Sequence, residues 1–385
     1  MNIDKKILYI TSIDVSLGNG PGVNEREFII AASQLLKDNI IFLIPKTKHK
    51  IKDEDFPFAK TIFSYRWSRG DIFRFLPHTI SQIYNGKKII KKWKPDLIIM
   101  RLNALPISQY YFSRYCKIPF VLKTIGPNLL NAFKKTPIIG KLNKKFMKHI
   151  IKNSKHSDCV SDTHKIKIKE LFGDIDVKVI DNGVNTDRFF KVNNNDVKVE
   201  KALKYDYIVG YAGNYPMTRG AAQLIEVAPI ISKDFPNLGF VILGGDKSEV
   251  ETMKTKIKEK NIQDRFVLTG AIPFEEVNMW INSFDIGVSF LKPEHSGASE
   301  QKVRQYLACG VPVICSEGNN GFIDDQLGYV VEWDNLASIA DRIKTLLNMN
   351  SSDKNKMSVE CITYAHNQLS VISKTQDRFE FWGLR

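Results

Sequence analysis

The chain has little that would tie it to a membrane span or an oxidising compartment. Its one apolar run near the start, Ile7-Leu8-Tyr9-Ile10, follows Lys5 and Lys6 and is too short for a leader. No stretch approaches the roughly 18 apolar residues of a span. The five cysteines (Cys116, Cys159, Cys309, Cys315 and Cys361) are odd in number and form no CxxC pair. That argues against a disulfide framework and for a cytoplasmic location. The seven histidines show no metal-ligand spacing, and neither G-x-S-x-G nor H-E-x-x-H occurs. No zinc-finger, homeodomain or RRM signature is present, so nucleic acid is not an expected partner.

What is present suits a folded α/β enzyme. With 385 residues, 43% hydrophobic and 25% charged, two domains with full cores are expected. The formal charge is +14, and between Lys134 and Lys169 eleven lysines face only Asp158 and Asp162. Phe133, Ile138, Ile139, Leu142, Phe146, Met147, Ile150 and Ile151 interleave with them. Such a basic amphipathic segment suits either an anionic membrane surface or a solvated helix over a packed core.

Short β-branched runs alternate with amphipathic helical patterns. Strands are predicted at 6–11, 40–44, 61–65, 96–101, 120–124 and 177–180, with helices at 23–36 and 78–93 among those between them. After an Asn/Lys-rich stretch at 191–204, read as a linker, the alternation restarts. Its strands are predicted at 207–212, 239–243, 265–269, 285–290 and 312–316. Its helices are predicted at 219–232, 249–260, 276–283, 300–309 and 336–348, with a helical tail beyond 352. This pattern predicts parallel sheets covered on both faces, in two similar halves facing a cleft. Ligands are then expected beyond the C-terminal strand ends.

Three loops follow strands there. The first, from Ser16 to Gly22, carries Gly18, Gly20 and Gly22, and glycines let a phosphate or sugar approach the backbone. It is neither a dinucleotide fingerprint nor a Walker loop. The second runs from Gly213 through Asn214 to Arg219 and Gly220. An arginine opening a helix opposes the helix dipole unless an anion binds there, and guanidinium grips phosphate in a fork. The third spans Glu294 to Ile314. Ser299 is the expected N-cap, Lys302 and Gln305 share a helix face, and the loop amides of Gly297, Ala298 and Ser299 are placed to meet a diphosphate.

Here the sequence resembles glycosyltransferase family 4. Leu307-Ala308-Cys309-Gly310-Val311-Pro312-Val313-Ile314 is similar to the family's EAMACGVPVI block, and Val179 to Phe189 to its VIPNGVDTDRF block. The loop from Gly213 to Gly220 and the runs Val241–Gly245 and Val267–Gly270 follow in the same order. The resemblance implies the GT-B fold, two Rossmann-like domains facing across a cleft. Residues 1–190 would bind the acceptor, 191–204 link, and 205–365 bind the donor, with a C-terminal helix at 366–385 packing back on the first domain. It implies a retaining, metal-independent transferase acting from a nucleotide diphosphate sugar, UDP first among the nucleotides. That sugar is a co-substrate, and no cofactor is expected. The acceptor would be a glycan or lipid-linked glycan in bacterial surface polysaccharide synthesis, met at the inner membrane face.

Arg219 and Lys302 are the expected catalytic cations. Gly20, Gly22, Gly213, Asn214, Gly270, Ile272, Gly297, Ala298, Ser299 and Gln305 are the expected donor contacts. Departures exist: Asn214 stands where the family has an arginine, and Gly297 and Gln305 where it has two glutamates. Glu294 and Glu300 are nearby carboxylates. A nucleotide-sugar epimerase of the same fold and a catalytically silent nucleotide-sugar-binding partner are the rival readings. Two acidic strings, Asp53-Glu54-Asp55 and Asp174-Ile175-Asp176, read as chance pairs and no metal is expected.

Overall fold

A computed structural model describes residues 4–17, 20–51, 56–66, 72–103, 105–123, 137–201, 203–213, 217, 219–292, 300–316 and 321–384. It divides into two compact units, Met1–Gly183 with Val371–Arg385, and Val184–Ser370.

In the first unit β1 (Ile7–Ile10), β2 (Ile40–Pro45), β3 (Thr61–Ser64), β4 (Leu97–Arg101), β5 (Phe120–Lys123), β6 (Ser157–Cys159) and β7 (Val177–Val179) form one parallel sheet. Its order is β3-β2-β1-β4-β5-β6-β7. The central strands are apolar on both faces because helices cover both. On one side α1 (Gly20–Leu36) packs with the C-terminal helix, burying Phe28, Phe379 and Trp382. On the other, α2 (Ile72–Trp93), α3 (Ile107–Tyr115), α4 (Pro137–Asn153) and α5 (Asp162–Phe172) bury Ile89, Phe112, Met147, Ile150, Ile151 and Ile168. Thus Met147, Ile150, Ile151 and Ile168 of the lysine-rich segment face the core, while Lys141, Lys144, Lys145 and Lys148 face out.

Strand β6 was not expected, because Ser-Asp-Cys carries no β signature. Asp158 is fully buried there, paired with Arg378 of the C-terminal helix (Nε to Oδ2, 3.1 Å). Arg378 also donates to the carbonyls of Ile180 and Asp181 at 2.9 and 3.2 Å. A partner some two hundred residues away makes this polar strand tenable.

The second unit repeats the plan. Strands β8 (Tyr207–Ala212), β9 (Leu238–Leu243), β10 (Phe266–Gly270), β11 (Ile286–Ser289), β12 (Val313–Ser316) and β13 (Gly328–Val331) lie parallel in the order β10-β9-β8-β11-β12-β13. Strand β13 was also unforeseen. Gly328 has φ +147°, and a Cβ there would fall 1.9 Å from the Val313 carbonyl oxygen. The stretch 191–204 belongs to this unit. It carries α6 (Asn194–Glu200), buries Val197, and ties Lys198 to Asp285 at 3.0 Å and to the Asp206 carbonyl at 2.7 Å. Helices α7 (Ala221–Ile231), α8 (Lys247–Glu259), α9 (Val277–Ile281), α10 (Gln301–Ala308), α11 (Leu336–Asn348) and α12 (Ser351–Tyr364) complete it. A π-helical turn at Ala365–Leu369 leads to the C-terminal helix, α13 (Val371–Phe381), in the first unit.

Candidate functional site

In the second unit the strand order reverses between β8 and β11. Crevices at such switch points, beyond the C-terminal strand ends, are where open α/β sheets bind ligands. Gly213 follows β8 there with φ +145°, a region open to glycine and strained for other residues. Gly220, with φ +130°, caps α7 so closely that a Cβ would lie 3.2 Å from the Phe290 nitrogen, just beyond β11. Arg219, half-buried, stands immediately before this helix start.

Helix α10 brings Lys302 to the same place. Tyr306 fixes the helix: its hydroxyl accepts from the Ala212 amide at 2.7 Å, and its ring fills the space that a side chain at Gly287 would occupy. One turn earlier, Lys302 Nζ lies 4.3 Å from the Tyr211 ring centroid and donates to the Tyr211 hydroxyl at 3.1 Å. A Cβ on Gly213 would sit 3.1 Å from Lys302 Cε and 3.7 Å from its Nζ. The absent side chain is what admits the ammonium.

Glu300 completes the group. It precedes α10 without capping it. Its carboxylate instead accepts from Ser289 Oγ at the end of β11 (2.6 Å) and pairs with Lys302 at 3.3 Å. Glu300 is therefore engaged in holding Lys302. Burial lowers the lysine's pKa, Glu300 opposes that shift, and the charge of Arg219 adds to it. Burial also raises the Tyr211 phenol well above its usual value, helped by Glu300. So the buried ammonium of Lys302 lies where the Arg219 guanidinium is felt, with the Glu300 carboxylate between β11 and α10. An anion entering here would relieve the repulsion between the two cations.

Other expected contacts fall differently. Gln305 is buried on α10. Gly270 ends β10 at φ +63°, and its carbonyl accepts from Gly244 at 2.9 Å; Ile272 is half-buried against the same core. Gly244 and Gly245, which close the run Val241–Gly245 but were not named among the donor contacts, both take positive φ after β9. Gly20 and Gly22 belong to the first unit. Gly22 serves packing, since a Cβ would lie 2.5 Å from the Leu17 carbonyl oxygen. Asn214, Glu294, Gly297, Ala298 and Ser299 lie outside the described residues. So do Asp53, Glu54 and Asp55. Asp174 and Asp176 are taken up by Lys169 and His156. Among the described residues no group of three His, Cys, Asp or Glu is placed to hold a metal.

The first unit has a corresponding polar centre. Glu25 of α1 is fully buried and accepts from Tyr9, from Arg101 at the end of β4, and from Lys123 at the end of β5. Burial alone would raise the Glu25 pKa, but Arg101 and Lys123 bring it down to about 2. Burial brings Lys123 down to about 7. Beside its switch point, Ser12 after β1 receives a hydrogen bond from Asn103 after β4 (3.1 Å) and touches His78 Nε2 at 3.0 Å.

Two parallel-sheet α/β units, each with a strand switch point, define the fold class, GT-B. Residues 206–349 match the family described as Glycosyl transferases group 1. It is 23% identical over 193 residues to the capsular polysaccharide biosynthesis glycosyltransferase CapM of Staphylococcus aureus, covering 48% of this chain and 50% of that protein. The chain spans between about a third and a half of the length of the curated relatives it matches. Its fold is shared with sucrose-phosphate synthase from Thermosynechococcus elongatus (TM-score 0.74, 16% identity, 98% of each chain). It is shared as well with HepE of Anabaena, solved with UDP and glucose (TM-score 0.72, 12% identity, 98% of this chain and 99% of that one).

Proposed function

We propose that this chain is a retaining, metal-independent glycosyltransferase. It would move a sugar from a nucleotide diphosphate sugar, UDP first among the nucleotides, to a glycan or lipid-linked acceptor in bacterial surface polysaccharide synthesis. The observation that carries the reading is the meeting of Lys302, Gly213 and Arg219 at the switch point of the second unit. The name of the CapM relative supports the polysaccharide context, and the UDP and glucose bound to HepE support the donor class.

The chemistry asks little of the protein. As the bond between sugar and diphosphate breaks, negative charge grows on the departing oxygen. Cations held in place in a desolvated crevice stabilise that charge without reorganising. Arg219 and Lys302 fill this role, and Gly213 lets the phosphates come close. The acceptor hydroxyl attacks the anomeric carbon on the face the diphosphate leaves, and its proton passes to the leaving phosphate oxygen. No protein nucleophile and no metal are then needed. The lysine-rich segment from Lys134 to Lys169 belongs to the acceptor-binding unit and suits an acceptor at an anionic membrane surface on the cytoplasmic side.

The test is thermal stability with UDP-, GDP-, ADP- and dTDP-sugars, since a ligand that binds only the folded state raises the midpoint by mass action. UDP-sugars should give the largest rise, and Arg219→Ala should abolish it. No rise with any of the four would sink the proposal. Product formation on an acceptor, with the anomer identified by NMR, separates transfer from epimerisation or silent binding.

A further inference from the structure

The net charge of the protein is almost entirely the property of one segment. Residues 72–157 hold eighteen Lys and Arg and a single acid, Asp96; the rest of the chain holds 38 Lys and Arg against 41 Asp and Glu. This segment contains α2, α3 and α4, none of which carries an acidic residue. The three helices pack side by side on one face of the first unit's sheet, α2 against α3 and α3 against α4. Their outer surface displays Lys87, Lys88, Lys91 and Lys92 on α2 and Lys141, Lys144, Lys145 and Lys148 on α4, all exposed.

The same surface also displays apolar side chains that a merely soluble helix layer would bury. Leu76, Ile80 and Tyr84 of α2 are 60%, 59% and 65% exposed. They are spaced i, i+4, i+8, so they form one stripe along the helix. Ile139 and Leu142 of α4 and Tyr115 at the end of α3 are exposed as well. Scattered exposed apolar residues need no explanation, but a helical stripe bordered by lysines does.

We infer that the outer face of α2, α3 and α4 docks on an anionic phospholipid bilayer, with the Leu76-Ile80-Tyr84 stripe entering the headgroup and acyl boundary. The inference rests on the proposed lipid-linked acceptor only for its biological sense; the surface itself is read from charge and exposure. Two attractions combine: lysines are drawn to anionic headgroups, and the stripe gains by leaving water. A soluble polyanion would satisfy the lysines equally well, but it gives Leu76 and Ile80 no reason to be exposed. The contact therefore extends past the segment after Lys134 to α2, whose stripe supplies the apolar component. No helix among the described residues is long and apolar enough to cross a membrane, which suits attachment at the surface.

The experiment is flotation of the full chain with vesicles of phosphatidylcholine alone or with about one third phosphatidylglycerol, at low and moderate salt. The wild type should float only with the anionic vesicles. Replacing Lys87, Lys88, Lys91 and Lys92 by Gln should weaken partitioning by roughly fivefold per charge, on the order of several hundredfold together. Leu76→Ser with Ile80→Ser and Tyr84→Ser should retain some binding at low salt and lose it at moderate salt, where screening weakens the lysines' attraction. Tyr84→Trp should shift its emission to the blue with anionic vesicles. Thermal midpoint and UDP-sugar response, measured on every variant, separate misfolding or a failed donor site from a failed docking surface. Absence of wild-type flotation would overturn the inference. So would unchanged flotation of the Ser variant, with wild-type binding displaced by polyphosphate, which would mark a polyanion site instead.

Discussion

The two units have the same strand plan around their first strand, yet they treat charge in opposite ways. In the first, Arg101 and Lys123 end neighbouring strands at the C-terminal edge of the sheet, but both are committed to the buried Glu25. In the second, Lys302 shares the Glu300 carboxylate with Ser289 and lies against Gly213, which has no side chain to fill the space beside it. The first arrangement is closed and stabilises a core; the second leaves cationic character for an incoming anion. One architecture can thus carry a structural ion cluster or a binding site, depending on whether a helix supplies the matching acid.

Removing the acid in the first unit should give the largest effect. Glu25→Gln would leave two buried cations without compensation and cost about 3–5 kcal/mol of folding stability, read by chemical denaturation. If the loss were under about 1 kcal/mol, the cluster would not be the anchor described. Next comes Lys302→Met, which keeps the bulk and removes the ammonium. It should lower turnover by about 100- to 1000-fold with the first unit's stability unchanged. Comparable turnover in the variant would move the catalytic cation elsewhere.

Gly213→Ala sharpens the comparison at a single methyl group. The positive φ and the 3.1 Å approach to Lys302 Cε predict about 1–2 kcal/mol of strain and a weaker nucleotide-induced thermal shift. The smallest effect is one of pH. Burial lowers the His78 pKa, although its hydrogen bond to the Tyr65 carbonyl opposes this. The unfolded chain therefore binds a proton more readily than the folded one. Stability from this group is present above the ordinary value of 6.5 and is lost as pH falls below it. His78→Gln should flatten that slope in midpoint-against-pH curves; an unaltered slope would assign it to other groups.

How much of this was legible beforehand depends on how local each signal is. Strand and helix positions such as β8, β9 and α11 follow from apolar periodicity within a dozen residues. Strand β6 did not, because the arginine that neutralises Asp158 lies at position 378. The stretch 191–204 was misread as a linker because its Asn and Lys residues outnumber apolar ones such as Val197 and Leu203, which pack inward. In the lysine-rich segment, composition alone gave charge and apolar content but not their sides. Met147, Ile150 and Ile151 proved to be core, and the exposed stripe lay on α2, outside the segment singled out.

By itself the sequence determined the two α/β halves, the glycines after their strands and the basic residues Arg219 and Lys302 as candidates. Each is a property of neighbours along the chain. Only the tertiary structure decided that Lys302 would enter the space left by Gly213, held by Glu300, whose carboxylate is itself fixed by Ser289. It also decided that Arg101 and Lys123 would be consumed by Glu25. A charge becomes structural or functional according to which opposite charge folding brings within about 3–4 Å, and that distance is not written in sequence spacing.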